Sequence, residues 1–125
     1  MKKEPEDLLL KDLCARLPYG VKCQFEDNTR ITDGESGPFY DYTLSAHHLG
    51  IFMRNNNFHI KPYLRPMSSM TEEETLMFDG LMMGTDNVPY MVDVIDWLDK
   101  NMFDYRGLIP KRQALSTEVF NPYKD

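Results

Sequence analysis

The segment Lys61-Pro62-Tyr63-Leu64-Arg65-Pro66-Met67-Ser68-Ser69-Met70-Thr71-Glu72-Glu73-Glu74 constrains the fold more than any other stretch of the chain. Its two prolines, four residues apart, remove backbone donors and bias the residues before them away from helix. Thr71 then stands three residues before Glu74, the spacing of a reciprocal N-terminal capping box. The chain is therefore expected to switch here from an extended, β-rich half to a helical half.

Upstream, Leu9, Leu10, Leu13, Cys14 and Leu17 recur at helical spacing behind Pro5 and an acidic first turn. They predict a first helix from about Pro5 to Arg16, with Cys14 on its buried face and Arg16 where the helix dipole favours a cation. Val21, Cys23 and Phe25 alternate with Lys22, Gln24 and Glu26, the period of a half-buried strand. Thr29–Thr32, Phe39–Ala46, Ile51–Met53 and Phe58–Lys61 complete the expected strands, and Asp33–Pro38 and Arg54–Asn57 read as loop and turn. After the prolines a second helix is expected over Glu72–Met83, with Met77, Phe78, Leu81 and Met82 inward and Gly84 as its C-cap. Gly80 inside it costs about 1 kcal/mol relative to alanine, so this helix needs tertiary support. Following a loop over Thr85–Tyr90, a third helix is expected over Val92–Phe103, with Asp93 as its N-cap and Gly107 as a left-handed cap after its end. Leu108-Ile109 reads as a short strand.

These elements predict an α+β fold: a small bent antiparallel sheet, with the curvature of an SH3-like partial barrel, packed against about three helices. A chain of 125 residues reads as one domain, β-rich over about 17–66, helical over about 71–109 and loose over about 115–125. The expected core is Leu9, Leu13, Val21, Cys23, Phe25, Ile60, Leu64, Leu81, Ile95, Leu98 and Phe103.

The formal charge of −6 removes the phosphate attraction that dominates nucleic-acid affinity. Leu8-Leu9-Leu10 is interrupted at once by Lys11 and Asp12, so neither a signal-peptide core nor a membrane span is expected, and the chain reads as cytoplasmic. Its two cysteines, Cys14 and Cys23, match no zinc spacing and are expected as buried free thiols. Burial would also suppress Cys14 as a nucleophile. His47 and His48, on neighbouring strand positions, would point to opposite faces and could not ligate one metal together; one of them with His59, and Asp41 nearby in sequence, would give only a partial site. Ser45, Ser68 and Ser69 lack a nucleophile elbow and read as turn and cap residues. Asp96, Asp99 and Asp104 read as a solvated face. No cofactor, metal or catalytic signature emerges.

Six of the nine methionines lie between Met67 and Met91. Methionine suits irregular cores and adaptable binding grooves alike, and Met67, Met70 and Met83 are apolar residues beyond what the helical pattern needs inside. Tyr63, Arg65, Tyr105 and Arg106 form local basic-aromatic groupings, as do Lys111 and Arg112. Tyr63, Arg65, Met67, Met70, Tyr105 and Arg106 are thus the candidate interaction residues. For Arg106 two roles stand open: a ligand for a phosphate or carboxylate, or a structural tie from a helix end to an acidic neighbour.

Three segments carry a resemblance: Leu17-Pro18-Tyr19-Gly20-Val21-Lys22; the stretch from Ile60 to Glu74; and Asp96-Trp97-Leu98 leading to Phe103-Asp104-Tyr105-Arg106-Gly107-Leu108-Ile109. Spanning most of the chain from Leu9 to Leu115, they resemble an uncharacterised group of small proteins carried by phages, prophages and other mobile elements of gut anaerobic bacteria. The resemblance implies a cytoplasmic, mobile-element-associated protein and assigns no catalytic residue. The expectation drawn is a non-catalytic adaptor meeting a protein partner through its helical half. The alternatives are a nucleic-acid accessory protein using Arg65, Arg106, Lys111 and Arg112, and a small hydrolase or metal-dependent enzyme.

Overall fold

The computed structural model describes residues 4–27, 39–54, 58–84 and 91–124. The expected strand over Thr29–Thr32, the loop over 33–38, most of the turn over 54–57 and the loop over 85–90 lie outside them. Helix α1 (Glu4–Arg16) runs into a 3-10 turn at Leu17–Tyr19, and Gly20, at φ 73°, releases the chain into strand β1 (Lys22–Asp27). Strand β2 (Phe39–Thr43), helix α2 (Ala46–Arg54) and strand β3 (Phe58–Leu64) follow. After a 3-10 turn at Met67–Ser69 come helices α3 (Glu72–Met83) and α4 (Met91–Lys100), then a two-residue strand β4 (Leu115–Ser116).

The fold is α+β. The open sheet has the order β2-β1-β3-β4, with β1 antiparallel to both neighbours and β4 parallel to β3. Alternation along β1 turns Val21, Cys23 and Phe25 into the core, where Phe25 stacks on Tyr40 at 5.3 Å and on Phe58 at 5.9 Å. Strand β4 joins β3 at Tyr63 and Leu64, just past Pro62, which has no N–H for a ladder.

Two apolar clusters form among the described residues. The larger lies among α1, α2 and the sheet, around Leu13, Phe25, Phe58, Ile60 and Leu64. The smaller joins Val94, Leu98 and Phe103 to Met67, Met70, Phe78, Leu81 and Trp97. Of the expected core only Leu81 and Ile95 are not fully buried.

Several expectations are corrected. Ile51-Phe52-Met53 belongs to a helix, α2, and the strand expected to reach Ala46 stops at Thr43. His47 and His48 are therefore helical. The buried stripe of α1 is Leu9, Asp12, Leu13 and Arg16, at helical offsets of three, four and seven, and Cys14 is exposed. Arg16, expected in the last turn where the helix dipole favours a cation, is there and is completely buried. Helix α4 starts at Met91, which places Asp93 inside its first turn rather than at the cap.

Helix α4 also ends early, at Lys100. The left-handed residue after it is Met102, at φ 63°, not Gly107. Phe103 N–H donates to Leu98 O and Met102 N–H to Asp99 O, the paired bonds of a Schellman ending. A methionine holds the position because its side chain is buried in the larger cluster. Gly107, at φ 74°, serves the next turn, where Leu108 and Ile109 donate their N–H groups to the buried Asp104 carboxylate at 2.7 and 2.9 Å. Leu108-Ile109 is thus a turn, not a strand.

Candidate functional site

Helix α3 carries apolar residues on every side, and among the described residues only one side packs against another part of the chain. Phe78 and Leu81 turn toward the smaller cluster, with Phe78 at 6.2 Å from the Trp97 ring. No residue of α3 is fully buried, and Met77 and Met82, expected inward, are exposed. On the opposite side Leu76 is 73% exposed and Met83 62%, while Met77, on the flank beside Leu81, is 55% exposed. Leu76, Gly80 and Met83 are four and three residues apart, so they make one continuous stripe along the helix. Met91 and Val92, in the first turn of α4, are exposed as well.

The charge around this stripe has one sign. Between Arg65 and Lys100 the chain has no basic residue, while eight of its twenty acidic residues fall there. Residues 66–99 therefore carry a formal charge of −8, and the remainder, with all fourteen basic residues and twelve acidic ones, carries +2. Glu72, Glu73, Asp79, Asp93 and Asp96 of this stretch are exposed. The expectations above missed Leu76, Gly80 and this asymmetry. The signals were present in the spacing of the stripe and in the gap between Arg65 and Lys100.

The residues singled out for interaction are mostly committed to partners within the fold. Tyr63 is buried; its hydroxyl reaches across β1 to donate to Asp41 Oδ1 at 2.8 Å, and burial with this bond pushes its pKa up to about 12. Met67 and Met70 pack under the smaller cluster. The Arg65 guanidinium lies 4.1 Å from the Phe103 ring centre and donates to both Glu74 oxygens at 2.7 and 2.6 Å. An open groove of about 670 Å³ runs past Tyr19, Thr71, Lys100 and Tyr123, with this pair on its wall.

Tyr105 and Arg106 belong to a buried charge cluster. Arg16 Nε donates to Asp12 Oδ2 at 2.9 Å and Arg106 Nη1 to Asp12 Oδ1 at 2.8 Å. Tyr105 donates to Asp99 Oδ1 at 2.7 Å, and its ring lies 5.4 Å from the Arg16 guanidinium and 4.6 Å from that of Arg106. Burial, then the bond to Asp99, raises the Tyr105 pKa. Two carboxylates and two guanidiniums balance, as charges removed from water require. Of the two roles open for Arg106, the geometry matches the structural tie. Asp99 and Asp104, read as solvated, are both buried with partners.

Ser45 and His48 approach closely, with Oγ 3.0 Å from Nδ1. The pair caps α2 reciprocally: Ser45 N–H donates to His48 Nδ1 at 3.1 Å, and His48 N–H donates to Ser45 Oγ at 3.3 Å. The imidazole thus stands where a capping box usually places Glu or Gln. Burial and the neighbouring His47 lower the His48 pKa, keeping Nδ1 free to accept. Among the described residues no three His, Cys, Asp or Glu side chains converge as metal ligands. Both cysteines are free; burial raises the pKa of Cys23.

Among the four cations considered for nucleic acid, Arg65 and Arg106 are spent on Glu74 and Asp12, and Lys111 and Arg112 are exposed. No helix among the described residues is long and apolar enough to cross a membrane. Comparison with protein-family models, with curated proteins and with solved structures found no match.

Proposed function

We propose that the protein is a non-catalytic protein-binding module, an adaptor of a phage or mobile element, that meets its partner through the outward face of α3. The exposed stripe of Leu76 and Met83 supports this reading above all, because the same chain buries apolar side chains of equal size elsewhere. Methionine adds to it: an unbranched, polarizable side chain repacks against differently shaped partners at little cost. The non-catalytic part is supported by how the reactive groups are used. Ser45 and His48 cap a helix, and Tyr105 and Arg106 complete a neutral charge cluster. The mobile-element part rests on the resemblance of the three segments.

The test compares proteins captured from a host lysate by the native chain and by a Leu76→Ser, Met83→Ser double variant. Both substitutions remove exposed apolar surface, so the variant is expected to melt as the native chain does. A partner captured by the native chain and lost with the variant is the expected result. Identical captures would overturn the proposal.

A further inference from the structure

Gly80 is the unusual residue of the α3 stripe. A glycine inside a helix costs about 1 kcal/mol relative to alanine, because it enlarges the conformational freedom lost on folding. Such a cost is commonly offset where another part of the chain crowds the backbone or where φ is positive. Neither holds here: a Cβ built on Gly80 meets nothing within 4 Å, and Gly80 is not among the positive-φ glycines. Its bare backbone opens outward between Leu76 and Met83, which are themselves exposed. Among the described residues no other part of the chain fills the notch, and it permits close approach from outside.

We propose that the stripe receives a cationic amphipathic helix from another protein, crossing α3 at Gly80. This rests on the docking reading above and adds the chemistry of the partner. Apolar side chains of the incoming helix lie over Leu76 and Met83 on either side of Gly80, in the helix-in-groove mode that reads anchors three and four residues apart. Its charge follows from the rim. Glu72, Glu73 and Asp79 flank the stripe with no basic residue from 66 to 99 to neutralise them, so lysines and arginines beside the apolar face are favoured. A second copy of this chain would set like charge against like along the same helix, which disfavours self-association through this face.

The test uses a labelled synthetic peptide of about eighteen residues, five turns of helix, with leucines on one face and lysines on the other. Controls are a scrambled peptide of equal composition and charge and an analogue with every lysine replaced by glutamate. The native chain is expected to bind the amphipathic cationic peptide at least tenfold more tightly than either control. Added salt should weaken that binding. Gly80→Gln adds a side chain into open space, so it should leave the melting temperature unchanged or raised while weakening the peptide at least tenfold. Equal binding of the scrambled peptide, or native affinity in Gly80→Gln, would overturn the proposal. So would a dimer in sedimentation that the Leu76→Ser, Met83→Ser variant abolishes, because the occupant would then be a second copy. Loss of lysate capture in that variant without any peptide preference would overturn the cationic helix and leave the docking face standing; failure of both would remove the docking reading itself.

Discussion

Arg65 grips the Glu74 carboxylate with both terminal nitrogens while its backbone is stitched to the far end of α4: Arg65 N–H donates to Met102 O at 2.7 Å, and Asp104 N–H to Arg65 O at 2.8 Å. One residue thus fixes the end of β3, the start of α3 and the segment that carries Phe103. Glu74 is shared as well, since its Oε1 also accepts the Thr71 N–H at 2.9 Å to close the capping box. The exposed stripe of α3 is oriented by this joint, because Glu74 lies in the first turn of the helix that carries Leu76 and Gly80.

The joint predicts an acid-sensitive step. Hydrogen bonds from Arg65 hold the Glu74 carboxyl at about 2, against burial that pushes it up, from an ordinary value of 4.5. A folded value below the unfolded one means that the unfolded chain takes up the proton first. The stabilisation is full above about pH 4.5 and fades as the pH falls toward 2. Melting temperatures of the native chain should therefore drop through that window. Glu74→Gln should be less stable at neutral pH and lose less on acidification; parallel pH profiles would show that Glu74 carries no such linkage.

The buried cluster predicts strong coupling between α1 and the chain after α4. Removing Asp12 takes from the fully buried Arg16 the carboxylate its Nε donates to, leaving only Asp99 at 4.0 Å, and breaking a buried pair in this way costs about 3–5 kcal/mol. Arg106→Gln leaves Arg16 and Asp12 paired, so it should cost less, about 1–3 kcal/mol, as expected for a hydrogen bond to a charged group. Affinity for a docking partner should be unchanged per folded molecule. Urea unfolding of Asp12→Ala, Arg106→Gln and the double variant measures the coupling. Strictly additive losses would show that Asp12 and Arg106 do not act together.

This cluster also explains what could be read beforehand. Strand β1 and helix α3 were legible because alternation and the Thr71–Glu74 box are local signals, complete within a few residues. The buried face of α1 was not, because hydrophobicity points to Leu10 and Cys14 whereas Asp12 and Arg16 go inside. That choice depends on Arg106 and Asp99, more than eighty residues away. Helix α2 was read as strand because Ile51, Phe52 and Met53 suit either form, and the Ser45–His48 cap does not resemble an acidic capping box. The candidate face was missed for the converse reason. Helical spacing places apolar residues inward, whereas among the described residues α3 buries a single side.

The Ser45–His48 cap predicts a second pH dependence, of the same sign but in a higher window. His48 Nδ1 accepts the Ser45 N–H only while unprotonated, and burial lowers its pKa below 6.5. The unfolded chain therefore protonates first as the pH falls. Stability is full above about 6.5 and declines as the pH drops through the lower folded value. Ser45→Ala should cost about 1 kcal/mol at pH 8, as loss of an N-cap does. Histidine NMR titration, checked against Ser45→Ala, reads the His48 value; a pKa at or above that of an ordinary imidazole would contradict the cap.

The last stretch of chain, expected to trail loosely over about 115–125, instead adds the edge strand of the sheet. Leu115 and Ser116 pair with Tyr63 and Leu64, and Thr117 N–H donates to Leu64 O at 2.9 Å. Beyond them Tyr123 folds back: its hydroxyl accepts from Lys22 N–H at 2.9 Å and lies 2.9 Å from Tyr63 O, to which it donates. A single phenol thus bridges the start of β1 and the end of β3, where the ladder would otherwise leave both groups open. Tyr123→Phe keeps the ring but leaves these two backbone groups without that partner, a loss of about 1–3 kcal/mol for groups shielded from water. Ending the chain after Asn121 should cost at least as much. In either variant the amides of Lys22 and Thr117 should exchange faster while those of α3 stay unchanged; native exchange at Lys22 would show that the tail does not hold the sheet.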